Sequence, residues 1–339
     1  MNEYCNVTKF KGTSKEVGIS IGRYIGDKFH DNIDKMIETI DKCYGLDFEK
    51  LEKESMQWLR NIPVEYQKEL EGVSIGSGCS INKITKWYYS SMCIDGGCTS
   101  FITKYNGSWW VGRNNDYLLP QKWGYINIIK VNNKIPVMLF GLEGDIFSGT
   151  GYNKEQLWIH YNWLPVWDIP DQSNEVLDPF IFIRTALESC KTVDEIEDLL
   201  KVRLRNGGMN LFVIDGTNNE SAVFECTCKK YIKRDIDNSY IAGANHYCDI
   251  QVPNDFNHDF GNSLNRQLRV EELLSNRKEN LSKESMIDIL ADPGVEQNNG
   301  STGTVYANIA CPSKSLIMFA YDGFPAASKS KWGKVKWNW

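Results

Sequence analysis

The stretch that most constrains this chain runs from Asp95-Gly96-Gly97-Cys98-Thr99-Ser100-Phe101, through Asn106-Gly107, to Trp109-Trp110-Val111-Gly112-Arg113-Asn114-Asn115-Asp116. Asn-Gly between two apolar, strand-like runs is the strongest short-range signal for a β-hairpin. Antiparallel pairing carries Cys98, at the start of one strand, to the end of the other, where Arg113 and Asp116 stand. A thiol, a guanidinium and a carboxylate then share one end of a sheet. Gly96 and Gly97 let the backbone bend where residues with a Cβ resist. The pattern fits a nucleophilic cysteine that becomes the first residue of a second chain once the Gly97–Cys98 bond breaks.

The rest of the composition narrows the field. At 339 residues the chain can bury a large core, and no linker or low-complexity block divides it, so one domain is expected. Lys plus Arg number 38 against 44 Asp plus Glu, a net charge of −6, which argues against nucleic-acid binding. No run of 18 apolar residues is present and the first 30 residues are too polar for a secretory signal, so neither a membrane span nor export is expected; the expected location is cytoplasmic. Ten irregularly spaced cysteines fit buried thiols in a reducing compartment, and only four histidines leave few ligands for zinc. No metal and no cofactor is expected.

Helical spacing of apolar residues runs from Thr13 to about Cys43, with Gly18, Gly22 and Gly26 forming a smooth stripe for close helix packing. Further helices are expected at 47–60, 63–76 (Pro63 in the first turn) and 82–93. Strands follow at 101–102, 109–111, 125–131, 137–141 and 157–161, the last after a turn at Gly151-Tyr152-Asn153. Two prolines make 163–170 an aromatic loop, either a packed lid or one wall of an apolar pocket, with Trp163 and Trp167 as its rings. Helices at 178–189 and 193–203, strands at 209–215, 222–226, 231–234 and 240–243, helices at 263–276 and 283–291, and strands at 303–310 and 315–321 complete the chain. This order gives an α+β layering of two sheets between helices.

With these residues in view, the chain resembles the isopenicillin-N acyltransferase (acyl-CoA:6-aminopenicillanic acid acyltransferase) family, a branch of the N-terminal-nucleophile hydrolases related to choloylglycine hydrolase and penicillin V acylase. The resemblance rests on Gly12-Thr13-Ser14-Lys15-Glu16-Val17-Gly18, Glu71-Gly72-Val73-Ser74-Ile75-Gly76-Ser77-Gly78, Cys98-Thr99-Ser100 and Gly112-Arg113-Asn114-Asn115-Asp116. Gly151-Tyr152-Asn153, Asn162, Gly207-Gly208-Met209-Asn210 and Asn245-His246 continue it in order. It implies a four-layer αββα sandwich, with residues 1–97 a mostly helical prosegment that becomes the small chain and 98–339 the large chain, together one domain. It also implies self-cleavage before Cys98 and attack on an amide or thioester carbonyl. The run Lys154-Glu155-Gln156 departs from the family's usual glycine before the leucine, and the 163–170 loop departs enough to leave the substrate open.

The resemblance assigns roles. Arg113 would hold the Cys98 thiolate and lower its pKa. Asp116 would orient the new α-amine, whose reference pKa of roughly 7.7–8.0 suits it as the thiol's own base. Asn245 would donate to the oxyanion. Asn162 would orient the substrate, and Arg266 would pair with a carboxylate on the far side of the site. Plainer readings stand beside these: an ion pair for Arg113 with Asp116, a turn cap for Asn245, a helix ion pair for Arg266. Asn153, Asn210 and Glu225 read as scaffold. The expected activity is hydrolysis of a small-molecule N-acyl amide or thioester, with acyl transfer to an amine or carrier thiol as the alternative. A binding protein that never matures is a third reading. A papain-like thiol hydrolase using His30, His160, His246 or His258 is a fourth. The oligomeric state is not legible.

Overall fold

The computed structural model describes residues 4–26, 28–92, 96–118, 123–142, 144–171, 173, 176–236, 240–256, 261–277, 280–300 and 302–339. Asp95, His258 and the last position of the expected helix 82–93 lie outside the described residues.

Residues 4–92 supply strands β1 (Tyr4–Cys5) and β2 (Val7–Gly12) and helices α1 (Ser14–Ile25), α2 (Lys28–Tyr44), α3 (Phe48–Asn61), α4 (Val64–Ser77) and α5 (Ile81–Met92). The hairpin follows as β3 (Gly97–Tyr105) and β4 (Ser108–Leu118), then β5 (Trp123–Val131), β6 (Val137–Leu142), β7 (Thr150–Asn153), β8 (Leu157–Leu164) and β9 (Val176–Leu177). Next come α6 (Pro179–Ser189), α7 (Val193–Val202), β10 (Leu204–Arg205), β11 (Gly208–Asp215), β12 (Glu220–Cys226), β13 (Tyr231–Arg234) and β14 (Tyr240–Gly243). The chain ends with α8 (Gly261–Asn276), α9 (Lys283–Leu290), β15 (Thr302–Cys311), β16 (Leu316–Ala320), α10 (Ala326–Lys329) and β17 (Gly333–Val335).

The strands form two large sheets, ordered β1-β17-β16-β15-β4-β3-β14 and β13-β12-β11-β8-β7-β6-β5-β2. Because side chains alternate across a strand, neighbours in sequence serve different layers. Ile102, Val111, Ile128, Phe140, Trp158 and Phe212 pack between the sheets. Phe101, Trp110 and Ile309 face outward onto Val270, Leu273 and Ile289 of α8 and α9. Ile129, Leu139, Ile159 and Leu211 face the opposite way, onto α1, α4 and α6. Helix, sheet, sheet, helix is the αββα sandwich expected.

Four differences from the sequence expectation have local causes. The helical stretch 13–43 breaks at Gly26, which caps α1 at φ +59 and takes no part in the packing stripe. Gly18 and Gly22 do: a Cβ on either would stand 1.9 Å from the Glu69 carbonyl or 2.4 Å from that of Val73, so α1 lies directly on α4. Pro63 sits one place earlier than expected, as the N-cap of α4. Gly151-Tyr152-Asn153 is strand and not turn; the chain reverses after it at 154–156, and Gly151 is small because a Cβ would meet Leu187 at 2.3 Å. Finally, the mostly helical first 97 residues also place an edge strand in each sheet, β1 parallel to β17 and β2 parallel to β5.

Candidate active site

The hairpin turns at Asn106 (φ 49) and Gly107 (φ 74), both left-handed as a tight two-residue turn requires. Its register sets Gly97 opposite Asp116, Cys98 opposite Asn115 and Ser100 opposite Arg113. Gly112 faces Phe101 and leaves room for its ring, since a Cβ there would come within 2.4 Å of the ring edge.

Cys98 is 4% exposed and held at every polar atom. Arg113 Nη2 donates to its Sγ at 3.1 Å, and Asn115 Oδ1 lies 3.7 Å from the same sulfur. The Cys98 N–H donates to Asn245 Oδ1 at 2.9 Å, and its carbonyl accepts from Arg266 Nη1 at 2.7 Å. Burial pushes the thiol above its ordinary value, and the nearby Arg113 charge pulls it back only in part. Arg113 thus lowers the thiol pKa as expected, and burial outweighs it.

Arg113 is itself buried and donates to Tyr161 O at 2.8 Å, to Tyr306 Oη at 2.6 Å and to Thr150 Oγ1. Burial opposes its charge, but Cys98 and Tyr306 hold the guanidinium above its ordinary pKa, so it stays a cation. Asp116 accepts from Thr304 Oγ1 at 2.6 Å through Oδ1; its buried Oδ2 has no hydrogen-bond partner among the described residues and lies 3.9 Å from Arg266. Burial raises the Asp116 carboxyl, against the pull of Arg266. A Cβ on Gly97 would stand 3.0 Å from Asp116 Cβ and 3.1 Å from Oδ2, so only glycine fits beside that carboxylate undisturbed.

Asn245 and Arg266 both bond Cys98 directly. Asn245 presents its oxygen, not its amide N–H, to Cys98, while Nδ2 donates to Trp163 O at 2.8 Å and Gly96 O at 3.4 Å. Arg266 is no surface ion pair on a helix. It is 5% exposed and reaches from α8 to the Cys98 carbonyl, Thr99 Oγ1, Asn262 Oδ1 and Asn245 Oδ1.

Asn162 bridges the two sheets, accepting from Ser100 Oγ at 2.8 Å and donating to Gly243 O at 2.9 Å; both ends of its amide are engaged inside the scaffold. Asn153, Asn210 and Glu225 also serve loops and carbonyls, Glu225 accepting three successive N–H groups of Cys248, Asp249 and Ile250.

A cavity of about 510 Å³ opens over Cys98 and Arg113, walled by Trp163, Pro165, Val166, Ile169 and Phe180. Residues of the 163–170 loop therefore form a pocket wall, and Trp163 begins it from within β8. Trp167 turns away, packing its ring on Tyr247 at 5.0 Å and Phe256 at 5.2 Å. Trp58, Tyr89 and Ser91 from the first 97 residues also line this cavity. Sequence reasoning missed them, along with Asn115, Thr304 and Tyr306. The last two lie on β15 beside β4, a pairing no local signal reveals.

Among the described residues, His160 and His246 are engaged away from the thiol. His160 is buried with its ring stacked on Phe212 at 4.8 Å, and burial holds its pKa well below the ordinary value. His246 is lowered to about 4 by burial and bonds Ser263 Oγ at 2.7 Å. Neither is a hydrogen-bond partner of Cys98 in the described residues. No helix among the described residues is long and apolar enough to cross a membrane.

A family model described as acyl-coenzyme A:6-aminopenicillanic acid acyl-transferase matches residues 102–333. No curated protein matches the chain. Solved structures similar to it include a mutant of conjugated bile acid hydrolase from Clostridium perfringens, 17% identical over 71% of this chain and 97% of that one, TM-score 0.47. A Caenorhabditis elegans N-acylethanolamine-hydrolyzing acid amidase ortholog is 17% identical over 69% and 98%, TM-score 0.46. Penicillin V acylase from Agrobacterium tumefaciens is 14% identical over 66% and 83%, TM-score 0.47.

Proposed function

This chain belongs to the acyl-coenzyme A:6-aminopenicillanic acid acyl-transferase family, and on that premise we propose that it is a self-processing amide hydrolase with Cys98 as nucleophile. The observation that carries the reading is the setting of one residue. Arg113 holds the Cys98 sulfur, Asn245 its nitrogen and Arg266 its carbonyl, while the preceding Gly97 lies against the unpartnered oxygen of Asp116.

In the uncut chain the Cys98 thiol attacks the Gly97 carbonyl carbon. The raised carboxyl of Asp116 takes the thiol proton and passes it to the departing Cys98 nitrogen, so the C–N bond is exchanged for a C–S bond. Water hydrolyses this thioester, leaving a Gly97 carboxylate and a free thiol. The α-amine left behind keeps its bond to Asn245 Oδ1 and takes the Asp116 Oδ2. Its reference pKa of roughly 7.7–8.0 leaves part of it neutral near pH 7, able to accept the thiol proton in each turnover. An N-acyl amide would then give a thioester and a free amine, and water would release the acid. Arg113 offsets burial by stabilising the thiolate. Asn245 Nδ2, now on Trp163 O and Gly96 O, is the group to reach a tetrahedral oxyanion once the Gly96 end withdraws.

The family description favours a second reading, transfer of the acyl group to an amine in place of water. The same residues serve both, and exclusion of water decides between them. Two measurements test the proposal. Intact mass should show pieces of 97 and 242 residues in the native protein and a whole 339-residue chain in Cys98→Ala. Incubation with an N-acyl amide and a panel of acceptor amines should release free acid. Accumulated transfer product would favour the second reading, and cleavage of Cys98→Ala at the same bond would remove self-processing.

A further inference from the structure

The Gly97–Cys98 peptide has one residue on each of two cavities. Cys98 lines the larger one, with its apolar loop wall; Gly97 lines a second, of about 310 Å³. Gly96, Asp116 and Tyr117 border both. The second cavity is walled by Asn262, Ser263, Gln297, Asn299 and Thr302, a run of neutral hydrogen-bonding side chains. We propose that it receives the amine half of the substrate, and that this amine carries neutral polar groups, hydroxyl or carboxamide. The proposal rests on the amide-hydrolase reading above.

Two arguments lead there. Attack requires the substrate carbonyl carbon to sit about 3–3.5 Å from the thiol. The acyl and amine halves must diverge from that point. Trp163, Pro165, Val166, Ile169 and Phe180 make the cavity on the thiol side the apolar one, suited to an acyl chain. The amine half is left with the second cavity, which Gly97 and Asp116 line.

The second argument is charge. Arg266 also lines this cavity, but four of its five N–H groups go to Asn262 Oδ1, Asn245 Oδ1, Thr99 Oγ1 and the Cys98 carbonyl. It is the cation among the described lining residues, and with one N–H left it offers a carboxylate or sulfonate head group no paired fork. An alkyl amine would offer no hydrogen bond to the amides of Gln297 and Asn299. Gln297 Nε2 donates only at 3.3 Å, to Val295 O, and Asn299 is exposed at the rim. Both sit where a ligand hydroxyl or amide can bond them.

The test uses the cleaved full-length protein and the acyl chain that a graded-length screen shows to be cut fastest. Four amides of that acid are compared: glycinamide, serinol, butylamine and glycine. The glycinamide and serinol amides should be hydrolysed with kcat/KM about 10-fold above the butylamide and the glycine conjugate, the scale expected from two neutral hydrogen bonds. Replacing both side chains, Gln297→Leu with Asn299→Leu, should bring the four within about 3-fold. Equal hydrolysis of all four by the native protein, or an equal fall for all four in the double variant, overturns the proposal alone. A cleaved protein that hydrolyses none of them overturns the hydrolase reading as well.

Discussion

Replacing Arg113 with methionine tests how a thiol so deeply buried can react. Arg113 Nη2 lies 3.1 Å from Cys98 Sγ. With an effective dielectric of about 20, a unit charge pair at that distance is worth about 5 kcal/mol. Burial pushes the thiol the other way. Taking half of the attraction as the net loss gives roughly 2–3 kcal/mol, on the order of 100-fold in thiolate. Self-cleavage should fall by about that factor at a pH where the thiol is mostly protonated. The assay is cell-free synthesis followed by a mass-spectrometric time course of the uncut chain between about pH 6 and 10, a range that brackets the ordinary thiol value. The variant's rate should climb with pH along a curve displaced upward from the native one. Arg113 also donates to Tyr161, Tyr306 and Thr150, so methionine strands buried acceptors and lowers stability. Arg113→Lys is the control: it keeps the charge with fewer donors and should fall between, roughly 10-fold slow. A folded Arg113→Met whose cleavage curve superimposes on the native one would refute the reasoning.

Gly97→Ala should slow cleavage about 10-fold by displacing the Asp116 carboxylate, whereas Gly96→Ala, whose Cβ meets nothing within 4 Å, should leave it unchanged; equal effects by mass spectrometry would contradict the packing argument. After cleavage the two pieces should co-elute on size exclusion, because the small one supplies an edge strand to each sheet and its Glu69 pairs with buried Arg184; separation without denaturant would contradict this. Burial raises Asp145 from 3.8 to about 7. A carboxyl that holds its proton more tightly folded than unfolded contributes stability that is complete below about pH 4 and lost as pH rises to about 7. The Tm should therefore fall across that window, and Asp145→Asn should shrink the fall. An unchanged fall in calorimetry would place the cause elsewhere.

Much of this arrangement was legible because its signals are local. Asn106-Gly107 sets the hairpin, and the hairpin register alone brings Cys98, Arg113 and Asp116 to one edge. The alternating layers follow from the runs around Ile128 and Leu211. What escaped reading depends on contacts between distant parts of the chain. Val7–Gly12 carries two lysines and buries only Phe10 at a sheet edge, so its pattern resembles a loop. Gly151 and Asn153 look like turn residues, yet one is small to admit Leu187 and the other ties four backbone groups. Arg266 stands 168 residues from Cys98, and nothing in its helix says which way it reaches. Asn245 was picked out by the resemblance, but sequence does not tell which end of an amide faces the nucleophile. Trp58 and Tyr89 belong to helices that look like packing alone until the fold lays them over the cavity.

N-terminal sequencing of purified, catalytically active protein tests the central claim most directly. Two starts are predicted, one at or near Met1 and one reading Cys-Thr-Ser-Phe from Cys98. Active material with the methionine start alone would contradict it, since the base that the thiol requires would then never have been made.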